Sequence, residues 1–374
     1  MTQHFGASNA FDWLQAIIQP QRCLGWHLQD WERVIRLSRR LRLLGRLAES
    51  VAGAGLLEAV PTQAARHLSA EMTLSRWQTG ALVWLLDRLG AMLGPVPYPL
   101  VLLKGGAYIA QDLDIAKGRL PSDADILVPR EFIGQAQHLL RHRGWVEAEL
   151  DAHDQRYYHQ WSHEVPPMRH PMFSLELDLH HNILPPLGRV RVDAELLLSR
   201  LVPSKWPQWQ VLHPVDQVLH SAAHLFFDSD IRDRLRDLVD LDGLMRQFAG
   251  HPGFWQALPE RGRELGLSEP LALAAHHCAR WLRTPIPQDC LQQIERHGPS
   301  VWRRQFLHPI LGSLLTPVEP DATPRWTQSV SAQMFLVRHH LGRLPLHLLV
   351  PHLWHKLQTR VQSRAAPAAT DDRR

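Results

Sequence analysis

Several things are scarce in this 374-residue chain, and each scarcity excludes a class of protein. Three cysteines, Cys23, Cys278 and Cys290, cannot supply a disulfide framework or a repeated C-x-x-C metal site, so a reducing compartment is expected. No apolar run approaches the roughly 18 to 20 residues of a spanning helix. The opening MTQHFGASNAFDW lacks the basic-then-apolar order of a signal peptide, which gives the expectation of a cytoplasmic protein. No G-x-S-x-G, Walker-type, G-x-G-x-x-G or H-E-x-x-H pattern occurs, leaving hydrolase-elbow, P-loop, Rossmann and zinc-protease readings without support. Lysine is scarce too: Lys104, Lys117, Lys205 and Lys356 stand against 37 arginines, so a lysine in an apolar setting calls for its own explanation.

The formal charge of +4 is unevenly placed. Residues 1–50 carry +3 and residues 331–374 carry +5, while the stretch between them carries −4. The mildly acidic centre argues against a generally basic nucleic-acid binder.

Hydrophobic periodicity divides the chain. Val34, Leu37, Leu41, Leu44 and Ala48 recur at helical spacing, and a long helix is predicted from Pro61 to Leu93, ended by GPVPYP at Gly94 to Pro99. Strand signals follow at Leu100 to Leu103, Ile126 to Val128 and Phe173 to His180, with a helix predicted from Arg130 to Arg143. Beyond Val192 the period is helical again, at His213 to Asp228, Ile231 to Phe248, Glu269 to Arg283 and Ser331 to about Gln362. An α+β fold is expected, a small mixed sheet set between N-terminal and C-terminal helical regions. The expected division is residues 1–95 helical, 96–190 catalytic core, 191–330 helical, 331–364 basic and amphipathic, and 365–374 a disordered tail.

Three segments carry chemistry. In VLLKGGAYIA a strand runs into Lys104-Gly105-Gly106 and a helix start, where free backbone N–H groups favour phosphate. In GRLPSDADILVP, Asp123 and Asp125 are two apart, so an extended backbone points both carboxylates to one face. Their repulsion is relieved by solvent, a basic residue or a hard divalent cation. In FSLELDLHHN, Glu176, Asp178 and His180 form the polar face of a strand opposite Leu175, Leu177 and Leu179, offering a third carboxylate. Each segment alone also reads as ordinary structure, a glycine turn, a polar turn or a solvated strand face. Together they supply what two-metal phosphoryl transfer requires.

This ordered set resembles the nucleotidyltransferases of the DNA polymerase β superfamily, whose signature is a Gly-Gly or Gly-Ser step, a D-x-D on a strand and a later Asp. Within it the chain most resembles a bacterial group associated with exosortase and exopolysaccharide systems. The abortive-infection toxin nucleotidyltransferases come next, sharing the Lys-Gly-Gly opening and an Arg four before the first Asp, here Arg119. Sixteen residues separate Gly106 from Asp123, longer than in compact members, and Ala124 replaces a larger apolar residue. The resemblance implies a polymerase β-like core in which Asp123, Asp125 and Asp178 hold Mg²⁺ (or Mn²⁺). Lys104, Gly105, Gly106, Arg119 and Ser122 would contact the nucleotide. It implies NMP transfer from an NTP to a hydroxyl of RNA, protein, sugar or a small molecule, with no obligate partner. The alternatives are a catalytically silent relative acting as a scaffold in an envelope-polysaccharide locus, and a toxin-like transferase modifying tRNA.

Other signals are read as structural. His220 and His224, four apart, would share a helix face, but with Ser221, Ala222 and Ala223 between them they are expected to be packed or surface imidazoles rather than a metal site. The run of Asp228, Asp230, Asp233, Asp237, Asp240 and Asp242 among Arg232, Arg234 and Arg236 is expected to be a solvated face, the alternative being a position across the cleft where the arginines help hold nucleotide or acceptor. Residues 331–364 are expected to dock on the protein's own core, with peripheral contact at the inner membrane face as the alternative.

Overall fold

The computed structural model describes residues 11–149, 162–186 and 188–343. It is a mixed α+β structure, as the sequence pattern predicts. The predicted tail and residues 344–364 of the basic segment lie outside the described residues.

The N-terminal third is helical: α1 (Gln15–Ile18), α2 (Leu28–Arg40), α3 (Leu44–Gly53) and the long α4 (Thr62–Leu93). The helical spacing from Val34 to Ala48 spans two helices rather than one, because Arg42 between them adopts a left-handed φ of 57°. In α4 the buried Leu68, Met72, Leu82, Leu85, Leu86, Leu89 and Leu93 form the stripe that packs on α2, α3 and the sheet. Gly94, with φ 66°, ends it before the prolines.

Among the described residues seven strands follow in one mixed sheet: β1 (Val101–Leu102), β2 (Asp123–Leu127), β3 (Val146–Glu147), β4 (Met168–Arg169), β5 (Glu176–His180), β6 (Val202–Pro203) and β7 (Gln210–Val211), ordered β3-β4-β5-β2-β1-β7-β6. β2 begins three residues before the predicted Ile126, so both aspartates lie within the strand. It runs parallel to β5 and antiparallel to β1. Ala124, Ile126, Leu177 and Leu179 are fully buried on one face, and burying each large apolar side chain contributes roughly 2 kcal/mol. By the two-residue alternation Asp123, Asp125, Asp178 and His180 take the other face.

α5 (Lys104–Ala110) leaves β1 directly, and α6 (Ile133–His142) follows β2. Then come α7 (Ala194–Leu198), α8 (Pro214–Phe226), α9 (Leu235–Phe248), α10 (Phe254–Glu264), α11 (Ser268–His277), α12 (Gln288–His297), α13 (Val301–Leu315) and α14 (Trp326–Arg343). α8 is buried almost all round. Asp216 on α8 has no exposure and is held by Arg261 of α10, whose Nε and Nη2 donate to its two oxygens at 2.7 and 3.0 Å.

The charged run is a solvated face only in its first half, where Asp230, Arg232 and Asp233 are exposed. Asp237, Asp240 and Asp242 on α9 are buried, and each meets an arginine: Arg234 at 2.6 Å, Arg119 at 3.0 Å and Arg246 at 2.8 Å respectively. Charge alternation along a helix marks the pairing and leaves open whether the partners come from solvent-facing neighbours or from another element.

Candidate active site

The register of β2 on β5 brings the distant carboxylates together. Asp125 is paired with Asp178, and Asp123 with Glu176. On the other side, the Leu103 N–H donates to the Asp125 carbonyl at 3.0 Å, so the chain leaves β1 beside Asp125. Lys104 takes a left-handed φ of 43°, uncommon for a residue with a Cβ, and its Nζ donates to Asp125 Oδ1 at 2.7 Å. His180 Nε2 lies 3.0 Å from the same oxygen, and its Nδ1 lies 3.3 Å from Glu164 Oε2. Asp125 is 2% exposed and His180 3%.

Burial alone would raise the Asp125 pKa, but the Lys104 ammonium and His180 hold it well below the usual carboxylate range. The opposite outcome falls on Asp178: burial, reinforced by the charge of Asp125, pushes its carboxyl up to about 7. Burial disfavours the charged forms of Lys104 and His180, yet the facing carboxylates outweigh it and raise both.

The remaining sequence-predicted residues are distributed around this centre. Gly105 and Gly106 are buried in the first turn of α5. A Cβ on Gly105 would stand 2.6 Å from Arg119 Nη1, whereas one on Gly106 would meet only ordinary contacts at 3.6 Å. Arg119 is buried, with its Nε on Asp240 and its guanidinium 5.6 Å from the Tyr108 ring centre. Ser122 is exposed beside Asp123. Asp123, Asp125 and Asp178 therefore share one sheet face with Lys104 inserted at Asp125. The three-residue group whose ligand atoms fall within 4.8 Å of one another, among the described residues, is His163, Glu164 and His180 instead.

Two further arginines lie near this centre: Arg236 belongs to the charged run noted in the sequence, whereas Arg42 was not singled out there. Arg42, in the α2–α3 turn, and Arg236 on α9 both donate to the Leu120 carbonyl, at 3.0 and 3.5 Å. Burial and the charges of Arg236 and Arg119 lower the Arg42 pKa, against the pull of Asp123 and Asp237. Guanidinium groups crowded beside an acidic strand end are suited to a polyanion. For Arg42 the sequence offered only an arginine-rich N-terminus, and for Arg236 the charged run that contains it.

A cavity of about 580 Å³ opens beside Lys104 and His180. His220 and His224 of α8 line it as packed imidazoles; burial pushes the His220 pKa down to about 3 and holds His224 well below its ordinary value. Trp302 and Phe306 of α13 and Arg338 of α14 form its outer wall. The described part of the basic C-terminal segment thus docks on the protein: Phe335 is 2% exposed, and Arg338 donates to the Phe226 carbonyl and to Glu269. No helix among the described residues is long and apolar enough to cross a membrane.

The structure thus brings together a strand-borne D-x-D, a third carboxylate on the parallel neighbour and a Lys-Gly-Gly helix start. The chain belongs to a family described as an uncharacterised nucleotidyltransferase, which matches residues 27–283. No curated protein and no solved structure matches it. The family match ends before α12, so the α13 and α14 side chains at the cavity lie outside the matched residues.

Proposed function

We propose that the protein transfers an NMP unit from an NTP to a hydroxyl-bearing acceptor, releasing pyrophosphate, with Mg²⁺ (or Mn²⁺) held by Asp123, Asp125 and Asp178. The observation carrying this reading is the Asp125–Asp178 pairing at the centre of the sheet, with an ammonium already drawn onto Asp125. The donor set fits a hard cation. Burial, with the charge of Asp125, holds the Asp178 carboxyl near 7, and the demand for positive charge at Asp125 is met here by Lys104. When bound, the metal supplies charge neutralisation of the phosphates and lowers the pKa of the attacking hydroxyl.

The residues divide the remaining work. Arg42, Arg236 and Ser122 border Asp123 and would receive the triphosphate, with the amides of Gly105 and Gly106 and the charge of Arg119 behind them. Lys104 would exchange Asp125 for phosphate as the nucleotide enters. The acceptor oxygen forms its bond to the α-phosphorus while the bond to pyrophosphate breaks, and Asp178 is suited to take the hydroxyl proton. The cavity of about 580 Å³, within the range of small-molecule sites, would seat the acceptor.

The test is incubation with each α-labelled NTP, Mg²⁺ and cell extract. Label should enter one acceptor class, and Asp123→Asn, folded by circular dichroism, should lose transfer by about 10²–10³-fold, the loss of a major electrostatic stabiliser. Undiminished transfer by that variant sinks the reading. The Lys104–Asp125 ion pair favours a second reading, a silent binding protein in which lysine has replaced the metal. That reading predicts no transfer with any NTP and no Mg²⁺ binding.

A further inference from the structure

We infer that His163, Glu164 and His180 form a separate site for a borderline divalent cation of the Zn²⁺ class, with Asp125 as the residue that orients His180. Its three ligands are distinct from the Mg²⁺ carboxylates, and the one residue common to both sets is Asp125, which here touches His180 and not the cation. The short antiparallel contact of Glu164 with His180, extended by the Val165 N–H to the Leu179 carbonyl at 2.9 Å and the His181 N–H to the His163 carbonyl at 2.8 Å, locks the ligand backbone onto the end of β5. Glu164 Oε2 then lies 3.3 Å from His180 Nδ1 and 3.9 Å from His163 Nε2. Tetrahedral coordination at about 2.0–2.2 Å places ligand atoms about 3.3–3.6 Å apart, so a small rotation of His163 closes the set.

The second observation is the state of His180. Its Nδ1 is buried with no hydrogen-bond partner, the contact with Glu164 falling outside hydrogen-bonding geometry. With Nε2 engaged by Asp125 Oδ1 at 3.0 Å, Nδ1 is the nitrogen that a cation would take, displacing any proton there. A carboxylate–histidine–metal relay has this form, the carboxylate fixing tautomer and ring orientation. Two imidazoles and one carboxylate suit Zn²⁺ and its neighbours better than Mg²⁺. All three residues line the cavity, so the fourth position faces space in which water or an oxygen of a bound ligand would complete the tetrahedron.

Full-length, chelator-treated protein is titrated with Co²⁺, read by its visible four-coordinate bands, and with Zn²⁺ by calorimetry. One equivalent should bind. His163→Ala and Glu164→Gln should each weaken it at least tenfold, and Asp125→Asn by about 10–100-fold, the usual loss of an orienting carboxylate. Asp123→Asn should bind Zn²⁺ like the wild type even where it abolishes transfer, which separates failure of this inference from failure of the proposed reaction. Wild-type protein without a stoichiometric site, or affinity unchanged in both His163→Ala and Glu164→Gln, would overturn the inference; the first outcome makes His180 a plain bridge between Asp125 and Glu164, and the second assigns binding to other histidines.

Discussion

The Lys104–Asp125 pair offers a perturbation whose outcome differs sharply between a metal-binding and a purely structural pocket. Lys104→Met keeps the length of the side chain and its apolar stem while deleting the ammonium. Asp125, 2% exposed, then keeps its charge with only His180 on Oδ1. Breaking a buried pair by removing one partner costs ~3–5 kcal/mol, and the surviving His180 contact argues for the lower end. At roughly 2 °C per kcal/mol for a large chain, a loss of about 3 kcal/mol lowers the melting temperature by about 6 °C in EDTA.

Magnesium should then reverse most of that loss. A cation binding only the folded state at ~100 times its dissociation constant returns ~2.7 kcal/mol, and in the variant it no longer competes with lysine. Differential scanning fluorimetry with and without Mg²⁺ reads both steps. Asp125→Asn provides the contrast, since it leaves Lys104 unpaired and removes a metal ligand, so its loss should persist in Mg²⁺. A Lys104→Met protein as stable as wild type in EDTA would refute the buried-charge reasoning. One that is destabilised but indifferent to Mg²⁺ and Mn²⁺ would refute the metal reading and favour the silent one.

The cavity also gives the protein an acid limb. Because the folded-state pKa of His220 is about 3, below its ordinary 6.5, the unfolded chain takes up the proton first; stability falls as pH drops through 6.5 and levels off near 3. At pH 5 this one group costs ~2 kcal/mol, and His220→Gln should flatten urea-derived stability between pH 6.5 and 4, an unchanged slope counting against it. At the glycine pair the contacts predict an asymmetry: Gly105→Ala drives a methyl to 2.6 Å from the Arg119 Nη1 and should cost ~1–3 kcal/mol, whereas Gly106→Ala should stay within ~0.5 kcal/mol. Equal melting shifts for the two would show that Arg119 yields freely.

What the sequence disclosed, and what it withheld, follows the range of the interactions concerned. The long α4, the β2 and β5 strands and the shared face of Asp123 and Asp125 rest on local periodicity, and local periodicity was enough to place them. The two-residue outer strands β3, β4, β6 and β7, of which β3 and β6 form the edges, are too short to show any period, so they went unread. Lys104 stood out by composition, being one of four lysines, yet nothing local says that its ammonium ends on Asp125. Arg119 was noticed through its spacing from Asp123, while its partner Asp240 lay in a run that reads equally well as exposed i,i+4 pairs.

His180 carries this furthest. Its place on the polar face beside Asp178 was visible, because residues two apart on a strand share a face. Glu164 lies sixteen residues earlier, in a stretch without a helical or strand period, and meets His180 through a single backbone bridge. A cluster of this kind is written in pairing between segments rather than in spacing along one. A sequence search for metal sites therefore stops at His220 and His224, whose spacing is right but whose rings stand 6.4 Å apart on a packed helix. The pair with suggestive spacing is the one that burial keeps neutral and packed. The set with ligand geometry has no spacing to announce it, and its separate chemistry will be legible only to a measurement that counts bound metal.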